Sequence, residues 1–401
     1  MARAGWVKPE SDQRLSDHIS IGVLTRVFPP ELVDKILDET DRVQQRSRLL
    51  PARVVVYYVL GLALFSQCSY EEVMRMLVEG LSWAEGWTRP WSVPTKAALF
   101  KARARLGSEP LIELFKAVAV PLGLVTTRGA FYRSWRLMAI DGTTLDLADT
   151  PANSEHFGRP GSGRGEGIAA FPQLRVVGLG ECGTHALVDV AVGACHDSEP
   201  SLATELFSSL HPDMLLLADR GFYGFERFRE AAGSGAALCW RVRKDLVLPV
   251  TERLFDGSYH SMIYPRADRP HGGTAVRVIE YGLKDPGRTE NDTVYRLVTT
   301  ILDPEAAPAR ELAAHYAQRW EFESTLDELK SHQRGPRIGL RSKMPDGVIQ
   351  EVYAYFCVHY AIRWLMHQVA TESDTDPDRL SFTRTLRVAR RTTASHPGFS
   401  P

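Results

Sequence analysis

Residues 316–330 read Tyr-Ala-Gln-Arg-Trp-Glu-Phe-Glu-Ser-Thr-Leu-Asp-Glu-Leu-Lys, without glycine or proline and rich in strong helix formers. That composition predicts a helix of about four turns. At roughly 100° per residue, Tyr316, Arg319, Glu323 and Lys330 fall within about 60° of arc. A phenol, a guanidinium, a carboxylate and an ammonium then share one stripe. Phe322, Leu326 and Leu329 form the neighbouring apolar arc, as in a helix docked on a core. The plainer reading is a solvated face with an Arg319–Glu323 ion pair worth about a few tenths of a kcal/mol.

The rest of the chain decides between these readings. Its 401 residues allow two or three domains, and 44% hydrophobic with 24% charged residues is ordinary for a globular protein. A net charge of −1 does not advertise a nucleic-acid binder, so only local clusters can serve one. Such clusters exist: Lys96, Lys101, Arg103 and Arg105; Lys330, Arg334, Arg337, Arg341 and Lys343; Arg384, Arg387, Arg390 and Arg391. The five cysteines are scattered and lack a CxxC spacing, which argues for a reducing compartment and against a disulfide framework or a thiolate zinc site. The N-terminus lacks an apolar signal core, and the most apolar run, 54–65, is too short to span a bilayer. A soluble, cytoplasmic protein without a membrane partner is expected.

Taken in order, residues 1–15 are polar, and a helical domain is expected over 1–125. Pro29 and Pro30 precede one helix, and Ser69 with Glu72 makes a capping-box pattern before another. The turn-rich stretch 86–94 leads into a helix over 95–106, whose exposed side is expected to carry Lys101, Arg103 and Arg105. Two helices joined by a turn, the second basic, are compatible with a helix-turn-helix that reads DNA.

From 126 the pattern changes to strands. An apolar run over 135–140 stops at Asp141-Gly142, a strand-end signal. The Gly/Arg-rich stretch 158–167 fits neither nucleotide-binding glycine pattern and reads as a loop. Strands follow at 174–179 and 186–194 around a Glu181-Cys182-Gly183 hairpin, then a helix at 199–210. A fully apolar strand at 214–218 stops at Asp219-Arg220-Gly221-Phe222-Tyr223. A helix at 225–232, a strand at 236–242 and a return strand at 295–302 complete this set. Between 245 and 294, Tyr, Val, Thr and Gly/Pro punctuation suggests a β-rich insertion. A long apolar helix over 348–369 precedes a polar, basic tail at 371–401.

The spacing Tyr316, Arg319, Glu323, Lys330, with Asp141-Gly142-Thr143 and Asp219–Tyr223 upstream, resembles the signature of the insertion-element-four family of DNA transposases. The resemblance extends over roughly residues 20–390. It implies an α/β, ribonuclease-H-like catalytic core over 126–244 and 295–370, interrupted by the β-rich insertion. In that fold the first catalytic acid ends the first strand and the second ends the fourth, which here are Asp141 and Asp219; Glu323 is the third. The implied activity is metal-dependent cleavage and transfer of DNA strands at the inverted-repeat ends of an insertion sequence. The implied partners are double-stranded DNA, both ends and target, and a second copy of the chain in a synaptic homodimer.

The chemistry suits carboxylates. Phosphodiester cleavage and transfer need a nucleophilic oxygen, a stabilised leaving oxygen and neutralised phosphate charge, which two divalent ions roughly 4 Å apart can supply. Mg²⁺ prefers oxygen donors, with Mn²⁺ expected to substitute. Rival acids near the same elements are Asp327, Asp146, Asp149, Asp197 and Glu199. Tyr316, Arg319 and Lys330 are expected on DNA phosphates, joined by Arg220 and Tyr223 beside the second acid. Tyr295 stands where relatives with a hairpin mechanism often stack an extruded base on Trp; a Tyr can stack too. A metal-dependent nuclease of the same fold, or an inactive DNA-binding relative, would use many of the same features. The presence of all three acids weighs against the inactive relative.

Overall fold

The computed structural model describes residues 22–43, 50–79, 94–161, 171–265, 272–282, 294–335 and 339–395. The expectations for 1–15, and for most of 86–94 and 158–167, lie outside these residues. The chain divides into two compact units. One comprises Met1–Val120, Leu145–Gln173 and Asp327–Pro401, and the other Pro121–Thr144 and Leu174–Leu326.

The first unit is helical. Its centre is the 28-residue helix Pro345–Glu372, which packs against Ala52–Leu64, Glu109–Val118 and Phe382–Ser395. In Ala52–Leu64 every residue except Arg53 is buried, as the unbroken apolar run requires. No helix among the described residues is long and apolar enough to cross a membrane. Thr95 caps the helix Lys96–Leu106 by accepting from the Ala98 amide at 3.3 Å. Lys101 and Arg105 are exposed on that helix, but Arg103 is not. It is only 9% exposed, and its guanidinium donates to Gln350 at 2.9 Å and Ser342 at 3.0 Å. The expected outward-facing Arg103 is therefore an internal strut. A buried guanidinium needs fixed acceptors, and the Pro345–Glu372 helix provides one of these two.

Glu328 is a second polar anchor in this unit. It accepts from His359 Nε2 at 3.3 Å and from Arg363 Nε at 3.0 Å. Burial alone would raise its pKa, but His359 and Arg363 overcome that and bring it down to about 2.

The second unit is organised on a ten-stranded sheet. Its strands are β1 (Phe131–Tyr132), β2 (Trp135–Asp146), β3 (Gln173–Glu181), β4 (Leu187–Ala194), β5 (Met214–Ala218), β6 (Ala237–Val242), β7 (Glu252–Arg253), β8 (Tyr259–Ile263), β9 (Thr274–Gly282) and β10 (Val294–Thr299). They lie in the order β4-β3-β2-β5-β6-β10-β9-β8-β7, with β1 on β2. β3 and β4 form an antiparallel hairpin, whereas β2, β5 and β6 run parallel. A parallel neighbour requires a crossover, and the helix Phe225–Gly233 supplies the one from β5 to β6. This is the ribonuclease-H-like arrangement. Residues 245–294 contribute β7, β8 and β9, which continue the same sheet beyond β10.

Two sequence expectations change. β2 runs on to Asp146 and does not stop at Asp141; β3 borders it on the other side, so the strand does not need β5 to stay extended. The stretch 316–330 is not one helix. Ala309–Tyr316 is followed by a tight turn in which Ala317 and Gln318 bond back three residues, to Ala314 and His315. Arg319–Asp327 is a second helix, and Glu328–Gln333 then widens to a π-helix. The single arc drawn at 100° per residue therefore does not hold. Tyr316 closes one helix, Arg319 opens the next, and Lys330 lies in the π-helical segment.

Phe322 and Leu326 pack the helix Arg319–Asp327 closely over β3. Phe322 is buried over β3 so closely that a Cβ on Gly180 would lie 2.0 Å from Phe322 Cε2. Only glycine accepts that approach.

Two outcomes follow. Gly180→Ala should cost about 1–3 kcal/mol by overpacking and lower the melting temperature, while Phe322→Leu in the same chain should recover part of the loss. Equal melting of Gly180→Ala and wild type would show that the approach is loose. For Glu328 the folded pKa lies below the usual 4.5, so its contribution is present above that value and is lost as pH falls toward about 2. Glu328→Gln should flatten that acid limb of a stability-against-pH curve, by on the order of 3 kcal/mol at most.

Candidate active site

The parallel register brings the first two acids together. β2 and β5 pair from Arg136↔Met214 to Ile140↔Ala218, so Asp141 and Asp219 are the next residues on adjacent strands. Residues so paired in a parallel sheet occupy the same level, and Ile140 and Ala218 both belong to the core beneath. The third acid arrives from the helix held over β3. Arg319, at its start, is 3% exposed and spans the gap: Nη2 lies 2.8 Å from Glu323 Oε1, and Nη1 lies 3.8 Å from Asp141 Oδ2. Asp219 faces Arg241 Nη1 at 3.4 Å and the Tyr316 hydroxyl at 3.5 Å. Three carboxylates and two guanidinium groups thus share the end of the parallel strands.

The electrostatics match this crowding. Burial pushes Asp141 up to about 6, with Glu323 and Glu199 adding to the rise, against the Gly142 amide and Arg319. The Gly142 amide donates to Asp141 Oδ1 at 2.9 Å. Burial also raises the Tyr316 phenol, which remains a neutral donor. Burial opposes the Arg319 charge, but Tyr316, Glu323 and Asp219 outweigh it and hold the guanidinium above its ordinary range.

The donor set suits a hard divalent cation, being oxygen-only and excessively negative. Among the described residues, however, no three Asp, Glu, His or Cys side chains are gathered closely enough to hold an ion. Arg319 takes two of the three acids instead.

The other expected residues are spread wider. Tyr295 stacks on Tyr281, with ring centroids 5.5 Å apart, and carries Arg241 over its face at 4.5 Å. Arg220 is exposed, while Tyr223 is half-buried beside Phe228 and raised to about 12 by that burial. Lys330, Lys101 and Arg105 belong to the helical unit, Lys330 half-buried and the other two exposed. Of the rival acids, Asp327 accepts from Ser331 at 2.6 Å, Asp146 from Gln173 at 2.7 Å and Asp197 from the Ala194 amide at 2.6 Å. Asp149 pairs with Arg159.

Arg241 is a neighbour that the sequence did not single out, and Glu199, one of the rival acids, also borders the site. Arg241 sits one position beyond Trp240, which pairs with Ala218, and so stands level with Asp219. A lone arginine in the apolar strand Ala-Leu-Cys-Trp-Arg-Val was the available signal. Glu199 lies against Gly142, where an added Cβ would meet Glu199 Cδ at 2.5 Å, and it pairs with Arg175 at 3.2 Å.

Comparison with known proteins gives two family matches: the insertion element 4 transposase N-terminal family over residues 18–116, and the transposase DDE domain over residues 135–360. The transposase InsG for insertion sequence element IS4 of Escherichia coli K12 is 28% identical over 377 residues, covering 93% of this chain and 83% of its own length. The putative transposase InsZ of the same organism is 24% identical over 213 residues, 53% of this chain and 68% of its own. Among solved structures, the piggyBac transposase synaptic complex with hairpin DNA has a TM-score of 0.51 at 11% identity, covering 93% of this chain and 79% of that one. That last likeness is one of fold.

Proposed function

Because this chain belongs to the transposase DDE-domain family, and is a DNA transposase that cleaves and transfers strands, we propose that Asp141, Asp219 and Glu323 are its catalytic carboxylates and that they hold Mg²⁺, with Mn²⁺ able to replace it. The observation that carries this reading is the convergence itself. Adjacent-strand register supports the pairing of Asp141 with Asp219, and Arg319 ties Glu323 to Asp141. A divalent ion there would supply positive charge against the charge that develops on phosphate oxygens.

The chain's own residues do the rest. The Tyr316 hydroxyl lies 3.4 Å from the Ala218 carbonyl and 3.5 Å from Asp219 Oδ1, where its one proton serves either acceptor. Arg319 offers a planar fork to a phosphate near the scissile bond, and Lys330 a point charge further along. Tyr295, backed by Tyr281 and Arg241, presents an aromatic face on which a base can stack. Arg220 and Tyr223 flank the second acid. Lys101 and Arg105 meet phosphates at the exposed face of the helix Lys96–Leu106, which positions DNA without reading its sequence. The acting species is a homodimer that pairs two inverted-repeat ends, in the cytoplasm at the nucleoid.

Asp141→Asn, Asp219→Asn and Glu323→Gln keep side-chain shape but remove the charge that attracts a cation. Each should lower Mg²⁺-dependent nicking of an end-bearing duplex by roughly a thousandfold or more, as for members of a catalytic unit. End binding, measured by gel shift, should stay close to wild type. If binding falls as far as nicking, the variants report misfolding; if nicking persists, the assignment fails.

A further inference from the structure

We infer that Arg319 competes with the divalent ion for Asp141 and Glu323, and that DNA relieves the competition by drawing the guanidinium onto a phosphate. Ion loading is thereby coupled to substrate binding. The inference rests on the reading of these acids as metal ligands and goes beyond it, since it concerns when they become available.

Three observations support it. Arg319 engages two of the three acids at once, at 2.8 Å and 3.8 Å. Its guanidinium is not fully used among the described residues, where Nε is buried and has no hydrogen-bond partner. A buried donor left unpaired disfavours the arrangement that leaves it so, and a phosphate with several acceptor oxygens suits the fork better. The guanidinium also lies 5.2 Å from the centroid of Trp320, an indole that is 59% exposed, so one flank of the pair adjoins solvent.

The physical logic is charge balance. Without DNA or ion, three carboxylates crowded at the strand ends require a compensating cation, and Arg319 provides it without the dehydration that Mg²⁺ resists. Adding Mg²⁺ to that arrangement places like charges together. Bringing in DNA supplies phosphate charge that outcompetes Glu323 for the guanidinium, leaving Asp141 and Glu323 to the ion. By linkage, ion and DNA then tighten one another's binding.

The test measures Mn²⁺ binding by the electron paramagnetic resonance of free Mn²⁺, on the full chain with and without a duplex carrying the element's end. Wild type should bind Mn²⁺ at least about fivefold more tightly with the duplex than without it, the lower end of typical coupling. Arg319→Gln should bind Mn²⁺ about tenfold more tightly than wild type without DNA, and gain little more when DNA is added. Arg319→Met, which keeps the stem of the side chain, provides a second neutral variant, and thermal melts establish that each is folded. The inference is overturned if folded neutral variants bind Mn²⁺ no more tightly than wild type, or if the duplex leaves wild-type affinity unchanged. Failure of the underlying reading looks different: Asp141→Asn and Glu323→Gln would then bind Mn²⁺ as wild type does.

Discussion

Part-buried carboxylates cannot be brought together without a positive partner, and in this protein Arg319 is that partner for two of them. Its position depends on several independent features. The β2–β5 register sets Asp141 beside Asp219. The Gly180–Phe322 contact lets the helix carrying Glu323 approach β3 closely. The turn at Ala317–Gln318 separates Tyr316 from Arg319, letting one reach Asp219 while the other reaches Asp141 and Glu323. A change in any of these would leave the remaining acids less well compensated, so the site is coupled to sheet register and to backbone close approach.

Much of this was legible in the sequence because the relevant signals are local. The apolar run Met214–Ala218 ending at Asp219 needs only the strand period and a terminating acid, and its observed bounds are the expected ones. Asp141 lies on the strand paired with that of Asp219, but inside it and not at its end as expected. The interrupted helix was not legible. The stretch 316–330 contains no breaker, and its tight turn and π-helical end are tertiary effects that override favourable propensity. Arg241 was missed because its meaning depends on cross-strand register, which periodicity within one strand does not reveal.

Basic residues show the same limit in another form. Arg103, Arg277 and Arg334 are buried, and Arg277 is committed to Asp256, Ser258 and the Ala307 carbonyl. Arg390, though less buried, donates to the Leu64 and Gln333 carbonyls. A cluster of arginines in sequence is therefore a poor count of the charge available to DNA. In the helix Lys96–Leu106 the exposed residues Lys101 and Arg105 flank the internal Arg103, so adjacent members of one basic run have different uses. In a chain of net charge −1, contact with a polyanion therefore rests on the exposed members of such runs.

With substrate present, Asp141, Asp219 and Glu323 should form one ion-binding site. Anomalous diffraction from crystals of the protein with an end-bearing duplex and Mn²⁺ tests it most directly. The account predicts manganese peaks within oxygen-ligand distance of all three carboxylates, with the Arg319 guanidinium moved from Glu323 to a phosphate. Manganese held by Asp327, Asp146 or Glu199 instead, with Glu323 still paired to Arg319, would contradict it.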